Sequence, residues 1–122
     1  MKSFATIFIA GLLLTPVTAR ADDAVILPER LASETCVWDF VQAQRAGGAD
    51  VSDVDAQIAI GNRAVDACDE YLRAWAEASP AVREGGDSVE DVLALMQMHY
   101  AARGALFAAG RARPFYEGQP QR

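Results

Sequence analysis

A chain of 122 residues, with 17 acidic against 11 basic side chains and a formal net charge of −6, is long enough for one small core. Its acidity argues against nucleic-acid and anionic-surface partners. Two cysteines, Cys36 and Cys68, are too far apart for a C-x-x-C redox pair, and no C-x-x-C-H run, glycine-rich phosphate loop, G-x-S-x-G or H-E-x-x-H signature is present.

The chain opens as an export signal. Lys2 supplies a positive start, Phe4 to Val17 an apolar run, and Ala19-Arg20-Ala21 a small-x-small cleavage site, which predicts a secretory signal peptide over residues 1–21. The apolar run is short for a bilayer, and Asp22-Asp23 is not a positive stop-transfer flank, so no membrane span is expected in the mature chain. The expected location is the bacterial periplasm or the exterior. Loss of Lys2 and Arg20 from the 11 basic residues leaves nine arginines and no lysine against 17 carboxylates, a net of −8. A lysine nucleophile or Schiff base is thereby excluded. In an oxidising compartment Cys36 and Cys68 read as one disulfide, which contributes roughly 3–4 kcal/mol by restricting the unfolded chain.

Pro28 fits a first helical position and is followed by Glu29, so a first helix is predicted over 28–46, ended by Gly47-Gly48. It is apolar nearly all round. Leu31, Trp38 and Val41 share one side, while Ala32, Cys36, Phe40 and Ala43 share another. The second helix is predicted over 53–78. Val54, Ile58, Gly61, Val65, Cys68, Leu72 and Trp75 recur at spacings of four and three and form its core stripe, while Asp55, Asn62, Arg63, Asp66, Asp69, Glu70, Arg73 and Glu77 fill the wet side. Ser52, three residues before Asp55, has the spacing of a capping box. An antiparallel hairpin of these two helices leaves a stagger of about 7.5 Å between the cysteines at 1.5 Å per residue, within reach of a tilted or overhanging pair.

Ser79-Pro80 ends the second helix, and a short helical turn near 80–84 leads to Gly85-Gly86. Ser88 then repeats the capping pattern for a third helix over 89–109, interrupted between Val92 and Ala109 only by Gln97, His99 and Arg103. Such a helix is either enclosed or leaves a face for a partner to cover. The tail over 111–122 is expected to be irregular, with Phe115 and Tyr116 placed to fold back over one end. The predicted fold is therefore all-α: a small up-down-up three-helix bundle stapled by one disulfide.

Met96, Met98 and His99 are the residues with soft-metal chemistry, but Met98 points away from the other two on a helical wheel, and axial haem ligands need two different helices whereas every mature methionine lies on this one, so no metal, haem or other cofactor is expected. His99 and Arg103 sit four apart in line with Met96 and Leu106. Two polar groups on an apolar stripe need partners when buried, which predicts a polar pocket around His99, Arg103, Met96 and Tyr100, facing an acid such as Glu34 or Asp39. That pocket is either a structural contact, a cationic rim at a subunit interface, or a site where His99 serves as acid or base. Asp66, Asp69, Glu70 and Arg73 lack calcium-loop spacing and read as a solvated face with an Asp69–Arg73 pair. Ser52, Ser79 and Ser88 read as caps rather than nucleophiles.

The leading expectation is a non-catalytic exported interaction protein that meets another protein, or a second copy of itself, through an apolar face of the third helix. The alternatives are a pH-responsive holdase, because its 17 carboxylates neutralise in acid, and a small enzyme built on His99.

Overall fold

The computed structural model describes residues 26–118; the expected signal segment and the last residues of the tail lie outside them. The described residues form an all-helical bundle: α1 (Pro28–Ala46), α2 (Val54–Ala67), α3 (Asp69–Ala78), α4 (Pro80–Arg83) and α5 (Val89–Ala108), followed by a 3₁₀ turn at Phe115–Gly118. No helix among them is long and apolar enough to cross a membrane.

Pro28 opens α1 with Glu29 in its first turn, and the chain leaves the helix through Gly47 and Gly48, the latter at φ +88°. The deepest face of α1 differs from the expected ones. Ser33, Glu34, Val37 and Val41 are the buried residues, whereas Leu31 is 41% exposed. Ser33 is satisfied locally, its hydroxyl donating to the Glu29 carbonyl at 3.0 Å.

Residues 53–78 are two helices rather than one. Cys68 leaves helical geometry at φ −106° and ψ 17°, yet its N–H still donates to Ala64 O and its carbonyl still accepts from Leu72 N. The hydrogen-bond ladder therefore bends without ending. Cys68 is fully buried and bonded to Cys36, with the Cα atoms 6.0 Å apart, and α1 packs against both α2 and α3 across this joint. The bend is what keeps both halves of the broken helix on α1. Val54 and Ile58, expected in the core stripe, instead lie on the surface, and the buried positions of α2 are Ile60, Gly61, Ala64 and Val65.

Asp53, not Ser52, caps α2: its carboxylate accepts from Ala56 N at 2.8 Å. Ser52 turns the other way, and both its N–H and its hydroxyl donate to Asp50 Oδ1. Because the helix starts at Val54, the residue immediately before it is a carboxylate, a stronger acceptor than a hydroxyl. Ser88 caps α5 by accepting from Asp91 N at 3.1 Å. Ser79 is buried and donates back to Ala76 O, so it ends α3 without capping α4.

The longest helix contact is between α2 and α5, which run antiparallel: Gly61 of α2 lies against Ala101 and Ala105, and beyond the Cys68 joint Gln97 Nε2 donates to Asp69 Oδ1 at the start of α3. Val37, Val41, Ile60, Leu72, Tyr100 and Phe107 make the centre of the core. Trp38 meets Phe107 edge to face with ring centroids 5.0 Å apart.

Candidate functional site

Glu34 follows the same helical spacing as Val37 and Val41, and that periodicity carries its carboxylate into the interior, where it has no solvent exposure. A charge taken out of water costs several kcal/mol unless it is fully matched. Here it is matched from two other segments. Arg103 of α5 donates through Nε to Oε1 at 2.8 Å and to Oε2 at 3.0 Å, and through Nη2 to Oε2 at 2.5 Å. Tyr100 Oη donates to Oε1 at 2.5 Å, and the backbone N–H of Phe115 donates to Oε2 at 2.9 Å.

Burial pushes the Glu34 carboxyl upward, but the hydrogen bonds from Arg103, Tyr100 and Phe115 outweigh it and hold the group below the usual carboxylate range. Burial, reinforced by the Glu34 charge, drives the Tyr100 phenol well above its ordinary value. Hydrogen bonding to Glu34 likewise raises the Arg103 guanidinium. A carboxylate so fully engaged joins three segments of the chain and leaves little lone-pair capacity to accept a substrate proton.

The tail completes this centre. Arg103 Nη2 also donates to Arg113 O at 3.0 Å, Pro114 is buried, and the Arg30 guanidinium lies 4.8 Å from the centroid of the Phe115 ring and 6.0 Å from that of Trp75. The expected irregular tail thus contains an ordered one-turn element that folds back over the end of the bundle.

Of the four residues predicted around a polar pocket, Arg103 and Tyr100 converge on Glu34. Met96 is partly buried against the core and supplies no polar atom to the centre. His99 is exposed, standing edge-on to the Tyr100 ring at 5.0 Å, and makes no hydrogen bond or ion pair among the described residues. Asp39 is exposed and takes no part. Arg73 pairs with Glu90 at 3.0 Å, closer than its 3.9 Å approach to Asp69. Among the described residues no group of three or more His, Cys, Asp or Glu side chains is placed to hold a metal ion.

Among the described residues two apolar surfaces stand out as uncovered. On α5, Leu95, Met98, Ala102 and Leu106 are all exposed and recur at spacings of three and four; Leu95 is 66% and Met98 69% accessible. Between α1 and the α2–α3 joint lies a groove of about 730 Å³, lined by Leu31, Ala32, Phe40, Tyr71 and the Cys36–Cys68 pair, with Asp39 as its charged residue. The groove is open and largely apolar, of a size that suits a small ligand or a few side chains.

Sequence reasoning missed Arg30, Pro114 and the Phe115 N–H as parts of the Glu34 centre. One signal was available: Glu34 lies three and seven residues before two valines, on a face of its own within a helix that is otherwise apolar nearly all round. Nothing local marks the Phe115 amide, because a backbone donor has no sequence signature. Compared with protein-family models, curated proteins and solved structures, the chain matches none.

Proposed function

We propose that this is a non-catalytic interaction protein, exported to the bacterial periplasm or beyond, that meets a protein partner or a second copy through the apolar row of α5. The observation that carries this reading is the run of Leu95, Met98, Ala102 and Leu106 along one solvent-facing side of a helix whose other side builds the core. Single exposed leucines are ordinary, but two large apolar side chains one turn apart and about two-thirds exposed, continued by two more apolar residues, make a contiguous face. The net charge of −8 expected for the mature chain sets the surrounding field against acidic partners.

Sedimentation velocity and static light scattering on the mature chain, with binding of a dye specific for exposed apolar surface, test the reading. Self-association or dye binding that is lost in the Leu95→Glu, Met98→Glu double variant is the expected result. A strictly monomeric chain that binds no dye overturns it.

A second reading, an acid-responsive holdase, is favoured by the position of Glu34, a single carboxylate that ties α1, α5 and the tail together and loses its charge in acid. Suppression of client aggregation at low pH is its test, and absence of any suppression removes it.

A further inference from the structure

The tail touches the Glu34 centre in an unusual way. Its polar contacts with that centre use main-chain atoms: Arg113 offers its carbonyl to Arg103 Nη2, and Phe115 offers its N–H to Glu34 Oε2. Between them lies buried Pro114, which has no N–H to leave unpaired. The Phe115 ring is held by a charged group of α1, lying against the Arg30 guanidinium. A carbonyl, a proline and an amide in succession, followed by an aromatic ring that opens a turn, are what a clamp for a short peptide reads.

The clamp does not need the tail in order to exist. Glu34 comes from α1 and Tyr100 and Arg103 from α5, and the three are already joined across the two helices by the Tyr100 hydrogen bond and the two-pronged arginine pair. A vacated site would keep its carboxylate and guanidinium paired across α1 and α5, which is the preorganisation that favours a ligand. The tail, for its part, carries its own local fold, a 3₁₀ turn in which Glu117 N donates to Pro114 O and Arg113 pairs with Glu117 at 3.3 Å.

We propose that Glu34, Arg103 and Arg30 form a binding site for X-Pro-aromatic segments of a partner protein, and that Arg113-Pro114-Phe115 is its resident, displaceable ligand. The site uses neither Leu95 nor Met98, so it and the α5 reading can fail separately. The tail acts as a cis competitor, lowering the apparent affinity for any segment offered from outside until it is released.

The test uses the full mature chain carrying Phe115→Ala, which weakens the resident ligand and leaves the clamp intact, and a synthetic peptide with the sequence from Ala112 to Gly118. Titration followed by the Arg103 Nε–H resonance is expected to show binding roughly ten-fold or more tighter than to the unsubstituted chain. A peptide with alanine in place of its proline and phenylalanine is expected not to bind. Arg30→Ala added to the Phe115→Ala chain is expected to weaken the peptide about three- to ten-fold. A natively folded Phe115→Ala chain whose Arg103 signal is unmoved by millimolar peptide overturns the proposal. Should that variant not fold, hydrogen exchange on the unsubstituted chain decides. A Phe115 amide exchanging much faster than the α5 amide of Tyr100 supports a displaceable strap, and exchange of both in step through global unfolding overturns it.

Discussion

Gly61 and Gly104 meet backbone to backbone where α2 crosses α5: a Cβ on Gly104 would lie 3.0 Å from Gly61 Cα, and a Cβ on Gly61 would lie 2.2 Å from Ala101 O. The second distance is far inside van der Waals contact and its partner is main chain, so neither helix can yield without the other. Gly61→Ala is expected to lower stability by about 3 kcal/mol or more, the upper range for overpacking. Gly47→Ala, whose added Cβ would come no closer than 3.4 Å to anything, is expected to change stability by less than about 1 kcal/mol. Urea unfolding of the two variants checks this, and equal effects would count against the close crossing.

The Glu34 centre carries a pH dependence whose sign follows from its depressed carboxyl. The folded group ionises more readily than the unfolded one, so its stabilisation is fully present above the ordinary carboxylate value of 4.5 and is lost as pH falls through the lower folded value. Thermal melts across that acid window are expected to slope downward in the parent and to flatten in Glu34→Gln. Near neutral pH, Glu34→Ala is expected to cost about 3 kcal/mol, since it strands a partly buried guanidinium and frees the Phe115 N–H.

The caps separate by position. Asp53→Ala and Ser88→Ala, each removing the acceptor of a first-turn N–H, are expected to cost about 1 kcal/mol. Ser52→Ala loses only an exposed contact with Asp50 and is expected to cost under about 0.5 kcal/mol. Denaturation of the three single variants is the measurement. A Ser52 variant as damaged as the Ser88 variant would contradict the observed start of α2.

Reducing the Cys36–Cys68 bond opens a loop with a sequence separation of 32. The expected loss is about 3 kcal/mol, or a fall of roughly 15 °C in melting temperature for a domain of this size. Melts with and without reductant read it directly. Non-reducing electrophoresis of the oxidised chain is expected to show no covalent dimer, because both half-cystines are used within one chain.

On the α5 row, Leu95→Glu and Met98→Glu are each expected to leave stability within about 0.5 kcal/mol of the parent, because the side chains replaced are already about two-thirds exposed. A loss of several kcal/mol on unfolding would show that these residues pack within the monomer.

Local chemistry made much of this molecule legible. Pro28, Gly48 and Ser88 mark helix ends through φ restriction, left-handed geometry and hydrogen-bond acceptance, all properties of single residues and their near neighbours, and they lie at or beside observed ends. The wet side of residues 53–78 was readable too, since charge periodicity needs no knowledge of the partner helix. Cap identity within Ser52-Asp53 was not readable, because a one-residue shift of the start exchanges the acceptor.

By itself the sequence determined the all-helical class, the span of α1 and the acidic exterior, because each depends on composition or on contacts within a few turns; it permitted a Cys36–Cys68 bond within one chain, and the approach of α1 to the α2–α3 joint decided it. Only the tertiary structure decided that the long helix bends at Cys68, that Glu34 rather than Asp39 receives Arg103, that Tyr100 and not His99 completes the pair, and that the tail closes over them. Those outcomes depend on which faces of α1 and α5 approach each other and on a backbone amide more than eighty residues along the chain. Periodicity names the faces of one helix; it cannot say from which direction the next helix will come.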